Sequence, residues 1–359
     1  MKKIWRVAVL VMVWSAGAFA QTAVVTHAQL QAVKADGSGA WTESFPFTIQ
    51  GVIVNDPEEM LDYTYDPMAT AEGRAGGQYQ LFIQAVGTSD RGGTALWMAQ
   101  NYEAMGSWIP AGNDYGTDWT NEINRVMFDS NGRKFRKGDL IEVTARKALF
   151  YNGKRNINEN HRITAANDFD VVLLKANVGL PQAEAITLAD LKNEDDSAIF
   201  DATRATGGEH WQGMRVRLDG IRLATTNGWG KSNWADRICM ATNDSGRSLK
   251  LRMPLTNLGP PKATSEWFAV TGILNQEDSN TNGYELFVQE IGPVLHVAQG
   301  PAGGVAVSFT TDYEGYVLEA TDDLESGEWS PVDITPVRVI RMEDESDLPN
   351  RTYRLRKAD

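Results

Sequence analysis

The chain has 359 residues, with 47 Asp and Glu against 34 Lys and Arg, a formal net charge of −13 and a single cysteine. That acidity excludes binding to phosphate polymers by bulk charge, which rests on Lys and Arg releasing counterions. One cysteine excludes an internal disulfide framework, so burial of apolar side chains must hold the fold together.

Residues 1–20 read as a signal peptide. Lys2, Lys3 and Arg6 form a positive start, 7–14 are an unbroken apolar run, and Ala18-Phe19-Ala20 supplies small residues for cleavage. The run is shorter than the ~20 residues a spanning helix needs, so the expected product begins at Gln21, is secreted (extracellular or periplasmic) and has no transmembrane segment. Removing the signal leaves 31 basic against 47 acidic residues.

After an N-terminal segment, 21–40, short apolar runs separated by Gly, Asn and Asp predict strands at 47–53, 79–85, 94–99 and 139–145. A fifth is expected after Asn152-Gly153, a pair suited to a tight hairpin, and 169–174 closes the set. Asp118 is a candidate N-cap for one short helix over 118–128. The second set follows the same order: 214–220, 237–241, 249–253, 267–274 and 283–289. Each set opens on a long strand carrying a glycine, Gly51 or Gly220, where a strand can bend to serve both sides of a small barrel. Five strands per copy fit an OB-fold, whereas an immunoglobulin-like sandwich would show seven. The expected fold is therefore all-β. Two tandem OB-like five-stranded barrels, 41–175 and 209–299, are joined by a linker, 176–208, in which Thr187 can cap a short helix. A small β-sandwich-like module, 300–359, follows with strands at 303–309, 315–320, 329–332, 336–340 and 352–356. It carries 13 acidic and 6 basic residues, whereas 209–299 carry 9 of each.

Leu180-Pro181, the segment Ile-Thr-Leu-Ala-Asp-Leu at 186–191, and Trp-Gln-Gly-Met-Arg-Val-Arg-Leu at 211–218 carry a family resemblance. They resemble the lead-in and first strand of OB-like accessory domains in bacterial extracellular nucleases, with Gly213, Val216, Arg217 and Leu218 on the pattern. The likeness covers about 180–297 and, more loosely, 41–175. In those nucleases catalysis belongs to a separate metal-dependent domain, so the resemblance implies a non-catalytic binding part. Residues 315–324, 329–332 and 353–356 are similar to small β tails that end secreted bacterial proteins, which implies display or packing.

No catalytic set emerges. His27, His161, His210 and His296 share no ligand spacing, and no G-x-S-x-G, P-loop or Rossmann glycine pattern occurs. Cys239, between Ile238 and Met240, reads as a small core residue. Asp278, Asn280 and Asn282 resemble the first half of a calcium loop, but Gln289 stands where bidentate closure wants Glu, and a hairpin turn explains the same letters.

Three groups are candidates for contacting a ligand. Arg133, Lys134 and Phe135 belong to the densest basic run, with Phe135 placed to stack; a solvated turn is the plainer reading. Trp229, Lys231 and Trp234 lie between the first two strands of the second copy, where OB-folds present a ligand loop; aromatic planes beside a cation suit single-stranded nucleic acid or an oligosaccharide. Arg215, Arg217, Arg222, Lys250 and Arg252 alternate with apolar residues and so share a sheet face, as a shallow groove or in salt bridges with Asp219 and Asp236. The rival expectation is a scaffold that packs against envelope or matrix proteins; an unrecognised hydrolase is the third.

Overall fold

The computed structural model describes residues 22–42, 44–56, 59, 80–87, 89–97, 124, 126–129, 131–158, 165–232, 234–299, 305–309, 316–323, 328–332 and 352–357. The expected signal peptide, Asp118, His161 and the strand expected at 336–340 lie outside them.

The molecule is mostly β, as the alternating runs predict. In the first barrel, β1 (Ala23–Val24), β2 (Phe47–Ile53), β3 (Gln80–Gln84), β4 (Gly93–Trp97) and β5 (Leu140–Ala145) are followed by the hairpin β6 (Leu149–Tyr151) and β7 (Lys154–Asn156), then β8 (Asp170–Lys175). The sheet order is β4-β3-β2-β5-β8, with β1 parallel to β2. Both turn residues of the hairpin have positive φ, Asn152 at 46° and Gly153 at 86°, as its sequence requires. Ile157, just beyond β7, bridges in parallel to Leu96 of β4. The fifth strand is thus split: β7 meets β4 and β8 meets β5.

The second barrel comprises β9 (Glu184–Ile186), β10 (Arg215–Leu223), β11 (Ile238–Thr242), β12 (Ser248–Arg252), β13 (Phe268–Gln276) and β14 (Tyr284–Gly292). Its order, β11-β12-β14-β13-β10, closes on itself through β10–β11. Here one unbroken β14 pairs with both β12 and β13. Val216, Leu218, Leu251, Phe268, Val270 and Leu286 fill the interior, with the buried Cys239 among them, and burial pushes the Cys239 thiol pKa up.

The two glycines singled out in the first strands serve different ends. Gly220 has φ +64° at a register shift between Leu218 and Ile221, so it makes a bulge. Gly51 lies in regular register with β5. A Cβ there would come within 2.9 Å of Ile83 and 3.1 Å of the His27 ring, so close approach demands it. Gly283, at the turn before β14, likewise answers to space: a Cβ would sit 2.4 Å from the Ser279 nitrogen.

The lead-ins to the two barrels also match. Helix α1 (His27–Leu30) follows β1, and α2 (Leu188–Leu191) follows β9. Thr26 caps the first, its hydroxyl accepting from the Gln29 N–H at 3.1 Å. At the second, the Asp190 carboxylate accepts from the Thr187 N–H at 2.7 Å. Beyond each helix an Asp-x-Ser turn repeats the same bond, Ser38 to Asp36 and Ser197 to Asp195, both at 2.6 Å. Leu30 enters the first core and Ile186, Leu188 and Leu191 the second. Segments expected as N-terminal extension and linker are therefore built into the barrels. A third helical turn, α3 (Gly207–His210), leads into β10.

The barrels dock along an apolar seam. Val54, Phe82, Ala95 and Trp97 from the first pack against Ile273 and Phe287 from the second, with the Phe82 and Phe287 rings edge to face at 5.5 Å. Gly93 and Gly213 touch backbone to backbone; a Cβ on Gly93 would stand 2.0 Å from the Gly213 carbonyl oxygen. Buried charge is paired across or beside the seam. Lys154 reaches Glu277 at 2.6 Å and Asn275 at 3.1 Å, and Arg252 grips Glu285 at 2.7 and 2.9 Å.

Two small sheets complete the described residues: β15 (Leu295–Gln299) with β16 (Val305–Phe309), and β17 (Tyr316–Thr321) between β18 (Ser330–Pro331) and β19 (Thr352–Lys357). Among the described residues, no helix is long and apolar enough to cross a membrane.

Candidate nucleic-acid interface

The loop 224–237 joins β10 to β11. Gly228 passes so close to Ile238 that a Cβ would lie 2.3 Å from its nitrogen. This fixes Trp229, whose half-buried ring packs against the core of the second barrel while its Nε1–H donates to the Gly259 carbonyl at 2.9 Å. Lys231 is exposed. Together with Ser232, Met253, Thr256 and Leu258 these residues line a cleft of about 310 Å³.

The basic run lies beside it. Lys134 bridges to Phe128, and side chains alternate from there: Arg136 is exposed and Phe135 is only 1% exposed, within the first core. The expectation that Phe135 stacks on a ligand is therefore corrected, because strand-like alternation turns it inward. Lys134, Arg136 and Lys137, with Asp56, Glu59 and Thr256, line a second cleft of about 560 Å³. Thr256 belongs to both clefts, and the Leu255 N–H donates to the Glu59 carbonyl at 3.1 Å. The two segments named from sequence thus adjoin across the loop 254–259. Lys137 is drawn toward Glu59 at 2.6 Å and Asp56 at 3.3 Å. Arg133 stands back in a bidentate pair with the buried Asp139, at 2.8 and 3.0 Å. Burial raises the Asp139 pKa, but hydrogen bonds from Arg133, Asn177 and Arg136 outweigh it and hold the carboxyl below its ordinary value.

The strand arginines do not join this surface. Arg215 donates to the Pro181 carbonyl at 2.7 Å and to Gln289 at 3.2 Å, and burial lowers its pKa. Arg217 pairs with Asp219 at 2.7 Å and Arg222 stacks on Trp267 at 5.0 Å. Lys250 pairs with Asp278. Arg252 is buried with Glu285, its guanidinium 4.1 Å from the Trp234 ring centre. Trp234 is itself set edge-on to Phe287 at 5.5 Å. Trp234 and Arg252 are thus corrected from ligand contacts to parts of the seam. Trp234 is half-buried, with the Arg252 guanidinium over its ring and Phe287 against it, so its contacts within the seam occupy the ring that a base would need.

In the loop 277–283, Asp278 is held by Lys250 and the Asn282 Oδ1 accepts from the Ser279 hydroxyl at 2.8 Å. The Asn280 carbonyl oxygen lies against Gly37 of the first lead-in. Among the described residues, no three His, Cys, Asp or Glu side chains gather as a metal site would require. His27 is a buried core residue, its ring nitrogens at 2.9 Å from Thr94 Oγ1 and 3.0 Å from the Gln50 carbonyl. Arg136 lies within the basic run named from sequence, though not singled out there; the loop 254–259 was missed. The alternation within the basic run could have separated Arg136 from Phe135, but nothing local links residues 134–137 to 254–259.

No family model matches the chain, and no curated protein matches it. Among solved structures it is similar to a chain of a Replication Protein A heterotrimer bound to ssDNA. Identity is 10%, the TM-score 0.25, and the match covers 68% of this chain and about half, 49%, of the other.

Proposed function

We propose that this chain is an exported, non-catalytic protein that binds single-stranded nucleic acid along the joined clefts. The observation that carries the reading is the meeting at Thr256. It sets Lys134 and Arg136 of one barrel beside Lys231 and Trp229 of the other, a line of cations with an aromatic plane. Such a line tracks a sugar-phosphate backbone while a ring face accepts a base. Lys134, Arg136, Lys137 and Lys231 outnumber Asp56 and Glu59 in the two linings, which favours a polyanion over a neutral oligosaccharide despite the acidity of the whole chain. Export is supported by the charged start, apolar run and small residues of 1–20; a mature N-terminus at Gln21 in the secreted fraction is the expected result.

Binding is tested by fluorescence anisotropy with labelled single-stranded oligonucleotides and, in parallel, neutral glycans. Oligonucleotide affinity should fall steeply with salt, and Lys231→Glu or Arg136→Glu should each lessen the slope of log K against log salt by about 1. The oligonucleotide should emerge uncut. Salt-independent binding, or variants that bind like wild type, would remove the reading.

A further inference from the structure

The last strand of the first barrel differs from its counterpart in the second. Among the described residues, β8 pairs on one side alone, with β5. Its sequence, Asp-Val-Val-Leu-Leu-Lys, contains no proline or glycine, and Val172 and Leu174 are 52% and 44% exposed. In the second barrel the matching end of β14 is covered: residues 289–291 are half-buried, and the Gln289 side chain donates to the Val54 carbonyl at 2.6 Å. An edge whose backbone groups are unpaired and whose side chains are apolar is a template for another strand.

The register of β8 narrows what that strand is. Asp170 lies opposite Thr144, Val172 opposite Glu142 and Lys175 opposite Leu140, with Leu174 as the extra residue of a bulge. Thr144, Glu142 and Leu140 form the outer row of β5, while Ile141, Val143 and Ala145 are buried. Asp170, Val172 and Lys175 therefore share the outer face, and Val171 and Leu173 pack on the core. Counting the bulge as one position, the row reads acid, apolar, base, symmetric in spacing about Val172. A two-fold axis through Val172 brings an identical strand alongside, antiparallel and face to face in kind. Each Asp170 then meets the opposite copy's Lys175.

We propose that β8 is the edge through which two copies of this chain pair, antiparallel and centred on Val172. Asp170, already ion-paired to Arg146 in its own chain, gains the second copy's Lys175. Such an interface is self-complementary, as a two-fold dimer demands.

Sedimentation of the full mature chain tests it. Wild type should run at twice the chain mass at micromolar concentration, and Val172→Arg at the chain mass. Asp170→Lys and Lys175→Asp each set like charges opposite one another, so each alone should run as a monomer. In a mixture, the first variant offers a lysine at both ends of the strand and the second an aspartate at both ends. Opposite charges then face one another at each contact, and the double mass should return. All three positions carry exposed side chains, and a misfolded Val172→Arg leaves the charge-swap pair to decide. A monomeric wild type, a charge variant that keeps the double mass alone, or a mixture that stays monomeric would overturn the proposal.

Discussion

The two barrels have the same strand order, yet they differ in which face is left to solvent. OB-folds present ligands to the outer face of their second and third strands. In the first barrel that face is β3 and β4, where Phe82, Ala95 and Trp97 are sealed beneath Ile273 and Phe287, and both strands are buried on both sides. In the second barrel the corresponding strands, β11 and β12, alternate between buried and half-buried residues. One plan used twice thus yields two platforms, and docking uses one of them as glue. On the proposed reading, a ligand is met by the second barrel and by the part of the first that adjoins it, the run 134–137.

The contrast breaks most directly at the seam. Phe287→Ala, by emptying the pocket beside Phe82 and Trp234, should cost about 3–5 kcal/mol in chemical denaturation. Both barrels should still unfold in one transition; two separate transitions would mean the seam does not couple them. Arg252→Met leaves the buried Glu285 carboxylate without its partner and should cost about 3 kcal/mol. Adding Glu285→Leu should restore most of that loss, because removing both charges also removes their desolvation.

A pH series sharpens the same comparison. Glu209, fully buried, accepts from the Tyr284 hydroxyl at 2.8 Å and faces Arg204 at 3.3 Å, which in turn donates to the Gln31 carbonyl of the first barrel at 3.0 Å. Burial raises its pKa from 4.5 to about 7, against the pull of Arg204 and Tyr284. In that window the folded state keeps a proton that the unfolded state has released. Its stabilising contribution is complete below 4.5 and is lost as pH rises through about 7. Glu209→Gln should flatten that decline, on the order of 3 kcal/mol, in urea midpoints taken across the window. The smallest stability effect belongs to the open face. Lys231→Glu should shift stability by no more than ~0.5 kcal/mol while weakening oligonucleotide binding, so fold and binding separate at that residue.

Much of the barrel was legible in the letters, because period-two alternation and the Asn152-Gly153 turn are local signals. The split fifth strand was visible only as two competing candidates, after 153 and at 169–174, since nothing local says that β7 and β8 complete one position. Within the candidate site, Trp229 and Lys231 were readable from a loop rich in glycine, and Trp234, without glycine neighbours, could be read as a ligand contact or as core. Its place in the seam is set by Arg252 and by Phe287, which the local sequence does not bring near it.

By itself the sequence determined what adjacent residues decide: strand positions, turns, helix caps and two runs of one five-stranded plan. Only the tertiary structure decided which faces are sealed and which cations adjoin. Docking two barrels pairs residues distant along the chain, such as Phe82 with Phe287, and an alternating pattern marks a face as apolar without naming what covers it.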